Sequence, residues 1–184
     1  MWEKYQQTLK NKIIFSGVGL HSGINTSLTL EPAEANTGII FKRTDLQKNN
    51  LIEANFKNVS SAVLCTKIEN EYRVSVSTIE HLMAAFYICG VDNLIVNIDG
   101  PEVPIMDGSA KDFVEQINLT GLKNLNRKRK FIKIIKNKKL DLGNKSMSIE
   151  PSVNDFTVKF TLTYDNTLIN TQIEKTNFDK NSQK

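Results

Sequence analysis

Cysteine is scarce in this 184-residue sequence: there are only Cys65 and Cys89, each alone in apolar surroundings. A disulfide framework or a paired-cysteine metal site needs closer, even spacing. Both are excluded, and the two thiols read as reduced, small buried side chains. Long hydrophobic runs are missing too. No apolar stretch reaches the ~18 residues of a transmembrane helix. The opening "MWEKYQQTLKNKIIF" lacks the unbroken apolar core and small-residue cleavage site of a signal peptide. A cytoplasmic protein with no membrane segment is the expectation. Strong charge of one sign is also lacking. The net excess of +4 suits an anionic ligand as readily as a nucleic acid.

What is present is a chain long enough for one or two domains with real cores. The first seventy-odd residues are short alternating or β-branched runs: "QTLKNKIIF", "NTSLTLEP", "TGIIFKR", "AVLCTKI" and "YRVSV". Turn residues separate them, so they read as strands. From Ile79 the period changes. Leu82, Met83, Phe86 and Tyr87 follow at three- and four-residue steps and Gly90 stands where a helix would stop, which predicts a helix of about three turns. "VDNLIVNIDG" reads as a buried strand, "PEVPIMDG" as a loop, and "SAKDFVEQI" as a second helix with Ser109 as its N-cap. Strands followed by helix, strand and helix predict an α+β layer with the helices on one face of a mainly antiparallel sheet.

"TGLKNLNRKRK" has no periodicity and reads as a polar connector, with a domain boundary near residue 125. The expected organisation is a first domain over 1–125 and a second over 126–184. In the second, strand patterns resume in "FIKIIKN", "SMSIEP", "DFTVKFTLTY" and "NTQIEKTNF", with no helical segment to cover them, so it reads as half of a domain. The basic cluster from Lys123 to Lys139 has Phe131 as its one aromatic, and its lysines alternate with Ile. A solvated strand exterior fits that pattern better than nucleic-acid binding.

Glu80 and His81 stand side by side at the expected start of the first helix. Ser77-Thr78-Ile79-Glu80 has capping-box spacing, in which Glu80 would reach back to the cap and His81 would be a polar residue of the first turn. The alternative is that the two are reacting groups.

Four segments, "GVGLHSG", "EPAEANTGIIFKRTDL", "STIEHLMAA" and "GVDNLIVNIDGPEVPIMDGSA", occur in an order that closely resembles the UDP-3-O-acyl-N-acetylglucosamine deacetylase (LpxC) family. The resemblance runs from about Tyr5 to Phe160. It implies a zinc amidase of lipid A biosynthesis acting on a UDP-sugar acyl substrate. It also implies two packed β-α-α-β sandwich domains, ribosomal protein S5 domain 2-like, with the active site between them. On that resemblance Glu80 is the general base, His81 one zinc ligand, and His21 a residue near the site whose other reading is a backbone-bonded turn residue. Leu64, Cys65 and Thr66 would lie on a strand lining the site, and Tyr164 would stack on uracil. Thr163 stands where the family commonly has an acid. Asp107 would stabilise the start of the second helix.

The family's H-K-x-x-D motif, with a second histidine and an aspartate for zinc, lies later in its chains, whereas this sequence holds only His21 and His81. A catalytic zinc takes three protein ligands and an open position. The expectation is therefore that the solitary chain is inactive. It would be either part of a split or truncated enzyme, completed by a separate chain carrying the other ligands, or a non-catalytic fragment or weak sugar-nucleotide binding module.

Overall fold

The computed structural model describes residues 4–153, 156–166 and 168–178. The ends of the two expected domains, residues 1–3 and 179–184, lie outside them. Contacts divide the chain into two units, one reaching to Arg129 and one starting at Lys130.

In the first unit β1 (Tyr5–Leu9), β2 (Ile13–Val18), β3 (Asn25–Pro32), β4 (Ile39–Arg43) and β5 (Leu51–Glu53) precede three short strands, β6 (Val59–Ser61), β7 (Lys67–Glu69) and β8 (Ser75–Val76). Helix α1 (Glu80–Cys89), β9 (Leu94–Ile98), α2 (Lys111–Thr120) and β10 (Leu122–Lys128) complete it. The main sheet has the order β2-β3-β9-β4-β5, antiparallel except where β4 runs parallel to β9. Alternation decides its faces. Leu28 and Leu30 of β3 and Leu94, Val96 and Ile98 of β9 point inward and are fully buried. They share one core with Phe41, Ile52, Leu82, Phe86, Phe113 and Ile117, so both helices cover the same sheet face. Each such side chain, once buried, contributes about 1.5–3 kcal/mol. Phe15 and Phe113 meet edge-on with centroids 4.9 Å apart, which fastens α2 to β2. The architecture is mixed α and β, mostly strands with two helices.

Helix α1 ends where its periodicity does. Gly90 takes φ 79°, and its N–H reaches the carbonyls of Phe86 and Tyr87. The start of α2 differs from expectation by a residue: the cap position is Ala110, which has no side-chain bond. Ser109 still serves the helix, because its Oγ accepts the Lys111 N–H at 3.1 Å, and Asp107 holds Ser109 by both its N–H and its hydroxyl.

Three expectations are corrected. "QTLKNKIIF" is two strands, since β1 pairs with β10 while β2 pairs with β3. "TGLKNLNRKRK" is largely strand β10, because ladder bonds need no apolar period. Gln7 Nε2 reaches Asn124 Oδ1 across that pair, and Arg129 grips Asp92 by Nε and Nη2 and the Gly90 carbonyl by Nη2. "FIKIIKN" forms no strand: its alternation is real, but no partner strand among the described residues supplies a ladder.

The second unit contains β11 (Lys138–Leu142) paired with β12 (Lys145–Ile149), and β13 (Thr157–Thr163) paired with β14 (Thr171–Asn177), two separate antiparallel hairpins. None of their described side chains is buried. Leu140, Met147, Phe160 and Ile173 are all exposed.

Candidate active site at the start of the first helix

The chain enters α1 by an unusual path. Ser77 donates both its N–H and its hydroxyl to the Pro101 carbonyl and accepts the Val103 N–H, which makes a parallel bridge to the 101–103 segment. Thr78 is buried and takes φ 56°, a left-handed conformation that is a steric outlier for a β-branched residue. Ile79 then occupies the cap position with no side-chain bond. The capping box is therefore corrected: the Ser77 hydroxyl is spent on Pro101, and Glu80 is the first residue of the helix rather than the third.

Glu80 is turned toward another segment. Its Oε2 accepts the Thr66 N–H at 2.9 Å, leaving Oε1 with no donor among the described residues. The Thr66 carbonyl accepts the Ile79 N–H at 3.3 Å, so two bonds lash the 62–66 segment to the head of α1. That segment is a loop preceding β7 and not the expected strand, with Leu64 at φ 63°. Val63 and Leu64 are 76% and 88% exposed and form an apolar lip, while Cys65 and Thr66 are half-buried. His81, the next residue of α1, is half-buried.

His21 lies in the turn between β2 and β3, with its side chain exposed. Its N–H donates to Glu102, at 3.0 Å from Oε1 and 3.2 Å from Oε2. Glu102 Oε2 takes the Ser22 N–H at 2.7 Å, and Oε1 takes the Thr78 hydroxyl at 2.7 Å. Glu102 is 1% exposed. Burial pushes its carboxyl pKa up, but the bonds from Thr78, His21 and Ser22 outweigh burial and bring it down to about 2. Gly19 permits the approach: a Cβ there would sit 2.5 Å from Glu102 Oε2. Sequence reading missed Glu102, because a glutamate between two prolines in a loop reads as solvated, and nothing local signals donors from residues 21, 22 and 78.

Structure therefore joins Thr66 to Glu80, and links the turn of His21 to the head of α1 through Glu102. Tyr164 belongs to the other unit, is 47% exposed, and donates its N–H to the Asn170 carbonyl. For zinc, His81 brings one imidazole, and no group of three His, Cys, Asp or Glu able to hold a metal forms among the described residues. The residues present do not by themselves fit a catalytic zinc. No helix of the described residues is long and apolar enough to cross a membrane.

A family model described as LpxC, UDP-3-O-acyl N-acetylglycosamine deacetylase, matches residues 6–184. The chain is 47% identical over 178 residues to the UDP-3-O-acyl-N-acetylglucosamine deacetylase of Geotalea uraniireducens, covering 97% of this chain and 57% of that protein. The enzyme of the same name from Aliivibrio fischeri is 43% identical, with 97% and 58% covered. That from Blochmanniella pennsylvanica is 42% identical over 177 residues, with 96% and 59% covered. The chain thus spans a little under three fifths of the length of these relatives.

Proposed function

The chain belongs to the UDP-3-O-acyl N-acetylglycosamine deacetylase family, and from that membership we propose that it serves hydrolysis of the N-acetyl group of UDP-3-O-acyl-N-acetylglucosamine, a step of lipid A biosynthesis in the cytoplasm. Glu80 is the general base. His81 is one zinc donor, and the others come from outside the described residues, in a complete enzyme or from a separate chain. His21, Leu64, Cys65, Thr66 and Tyr164 contact substrate, Tyr164 by stacking on uracil. The first unit is a β-α-α-β sandwich, and the hairpins of the second belong to another domain of that type.

One observation carries the reading: Glu80 is fixed by one carboxylate oxygen to the Thr66 N–H, while its other oxygen takes no donor among the described residues. A general base needs that division, because it must be held still and still have a lone pair for the proton. Oxygen from water bonds to the acetyl carbonyl carbon as its proton passes to Glu80 Oε1. The C–N bond then breaks as the proton held by Glu80 passes to the nitrogen, which leaves as the free amine, and the acetic acid released ionises to acetate. The exposed Val63 and Leu64 beside Thr66 offer an apolar edge suited to an acylated sugar.

The test is acetate release from UDP-3-O-acyl-N-acetylglucosamine with zinc in the buffer. No turnover is expected from the chain by itself. Turnover is expected once a polypeptide carrying the remaining length of a relative is added. If acetate release appears in neither case while the substrate still binds, the chain is a sugar-nucleotide binding module and the deacetylase reading fails.

A further inference from the structure

The 17–23 turn and the head of α1 are far apart in sequence, yet both are tied to one buried carboxylate. We propose that Glu102 is a positioning residue: its carboxylate joins the His21–Ser22 turn to Thr78 and so sets where α1 begins and where its first residues, Glu80 and His81, are held. The inference rests on the reading that Glu80 and His81 are the reacting pair.

Three features carry it. First, the bonds come from both sides. The N–H groups of His21 and Ser22 approach from the turn, and the Thr78 hydroxyl approaches from the path into α1, two residues before Glu80. Second, the Thr78 hydroxyl bond lies on a backbone that resists its own conformation. A threonine at φ 56° persists only where its surroundings over-determine it, and Glu102 with the Ser77 bridge to Pro101 and Val103 does so. Relaxing Thr78 would re-aim the first turn of α1, and with it the Glu80 carboxylate now bonded to Thr66. Third, the site is shaped for the carboxylate. Gly19 is buried, and any Cβ there would collide with Glu102 and with Ser22 Oγ, the latter at 2.4 Å. A carboxylate that only offset its own burial would need donors from one side; this one draws on two.

The chain has two histidines, His21 in the turn bonded to Glu102 and His81 in the first turn of α1. Labelling histidine alone with nitrogen-15 therefore reports the turn through the His21 amide and the head of α1 through the His81 imidazole. Three variants are compared with the wild type, without zinc or substrate. Glu102→Gln keeps the shape but turns an NH₂ toward donors. The His21 amide should then exchange more than tenfold faster, and the His81 imidazole signals should move. Thr78→Val cuts only the link to α1. It should move the His81 signals while His21 exchange stays within about twofold of wild type, and Thr78→Ser, which retains the hydroxyl, should return them. If Glu102→Gln does not fold, the Thr78 pair decides. The proposal is overturned if the His81 signals stay in place in the folded variants, or if Thr78→Ser moves them as far as Thr78→Val. Since neither metal nor substrate is present, the outcome is independent of whether acetate is released.

Discussion

Replacing Glu102 by glutamine also makes a prediction about acid stability whose size follows from the site. A carboxyl brought from an ordinary 4.5 to about 2 contributes about 3 kcal/mol to folding at neutral pH, at about 1.4 kcal/mol per pH unit. Because the folded-state value is depressed, that contribution is whole above pH 4.5. It falls to about half at pH 3 and vanishes as the pH drops through 2. Glutamine has no such contribution at any pH. The gap in unfolding free energy between wild type and Glu102→Gln should therefore narrow by about 3 kcal/mol as the pH falls from 7 through 2, the narrowing starting near pH 4.5. Urea titrations followed at the amides of Leu28 and Val96, both fully buried, read the first unit alone. A gap that stays constant between pH 7 and pH 3 would refute the reasoning, since the loss would then come from packing and not from the ionised carboxylate.

Two further outcomes follow. Phe113→Ala should lower the stability of the first unit by about 3–5 kcal/mol in the same titration, because it empties a fully buried site and removes the edge contact with Phe15. In hydrogen exchange, the amides of β11 to β14 should exchange at least about a hundredfold faster than those of β3 and β9, because no described side chain of the two hairpins is buried; equal protection would mean that self-association covers them.

The sequence was most readable where pattern and pairing agree. "NTSLTLEP" is β3 residue for residue, and the apolar steps of α1 stop at Gly90, as they must when a left-handed residue closes a helix. It was least readable where distant partners override a local pattern. Ser77-x-x-Glu80 has the spacing of a capping box, but Pro101 takes the serine hydroxyl and Thr66 takes the glutamate. Strand β10 has no apolar alternation because its pairing with β1 is held by the ladder and by Gln7 and Asn124. The same holds for the site. Glu80 and His81 could be singled out by their position and their neighbours in sequence. The fixing of Glu80 by a main-chain N–H 14 residues earlier could not, nor could the role of Glu102, whose donors lie 80, 81 and 24 residues away.

The central claim is that Glu80 is a reacting group and not merely the first residue of a helix. The measurement that tests it most directly is the rate of acetate release by the complemented protein, compared between wild type and Glu80→Ala, with each variant shown to be folded by protection of the buried Leu28 and Val96 amides. Loss of a general base predicts a fall in kcat of about a hundredfold or more, with substrate binding retained. An unchanged kcat in a folded Glu80→Ala protein would contradict the account and leave Glu80 as an anchor for the Thr66 loop alone.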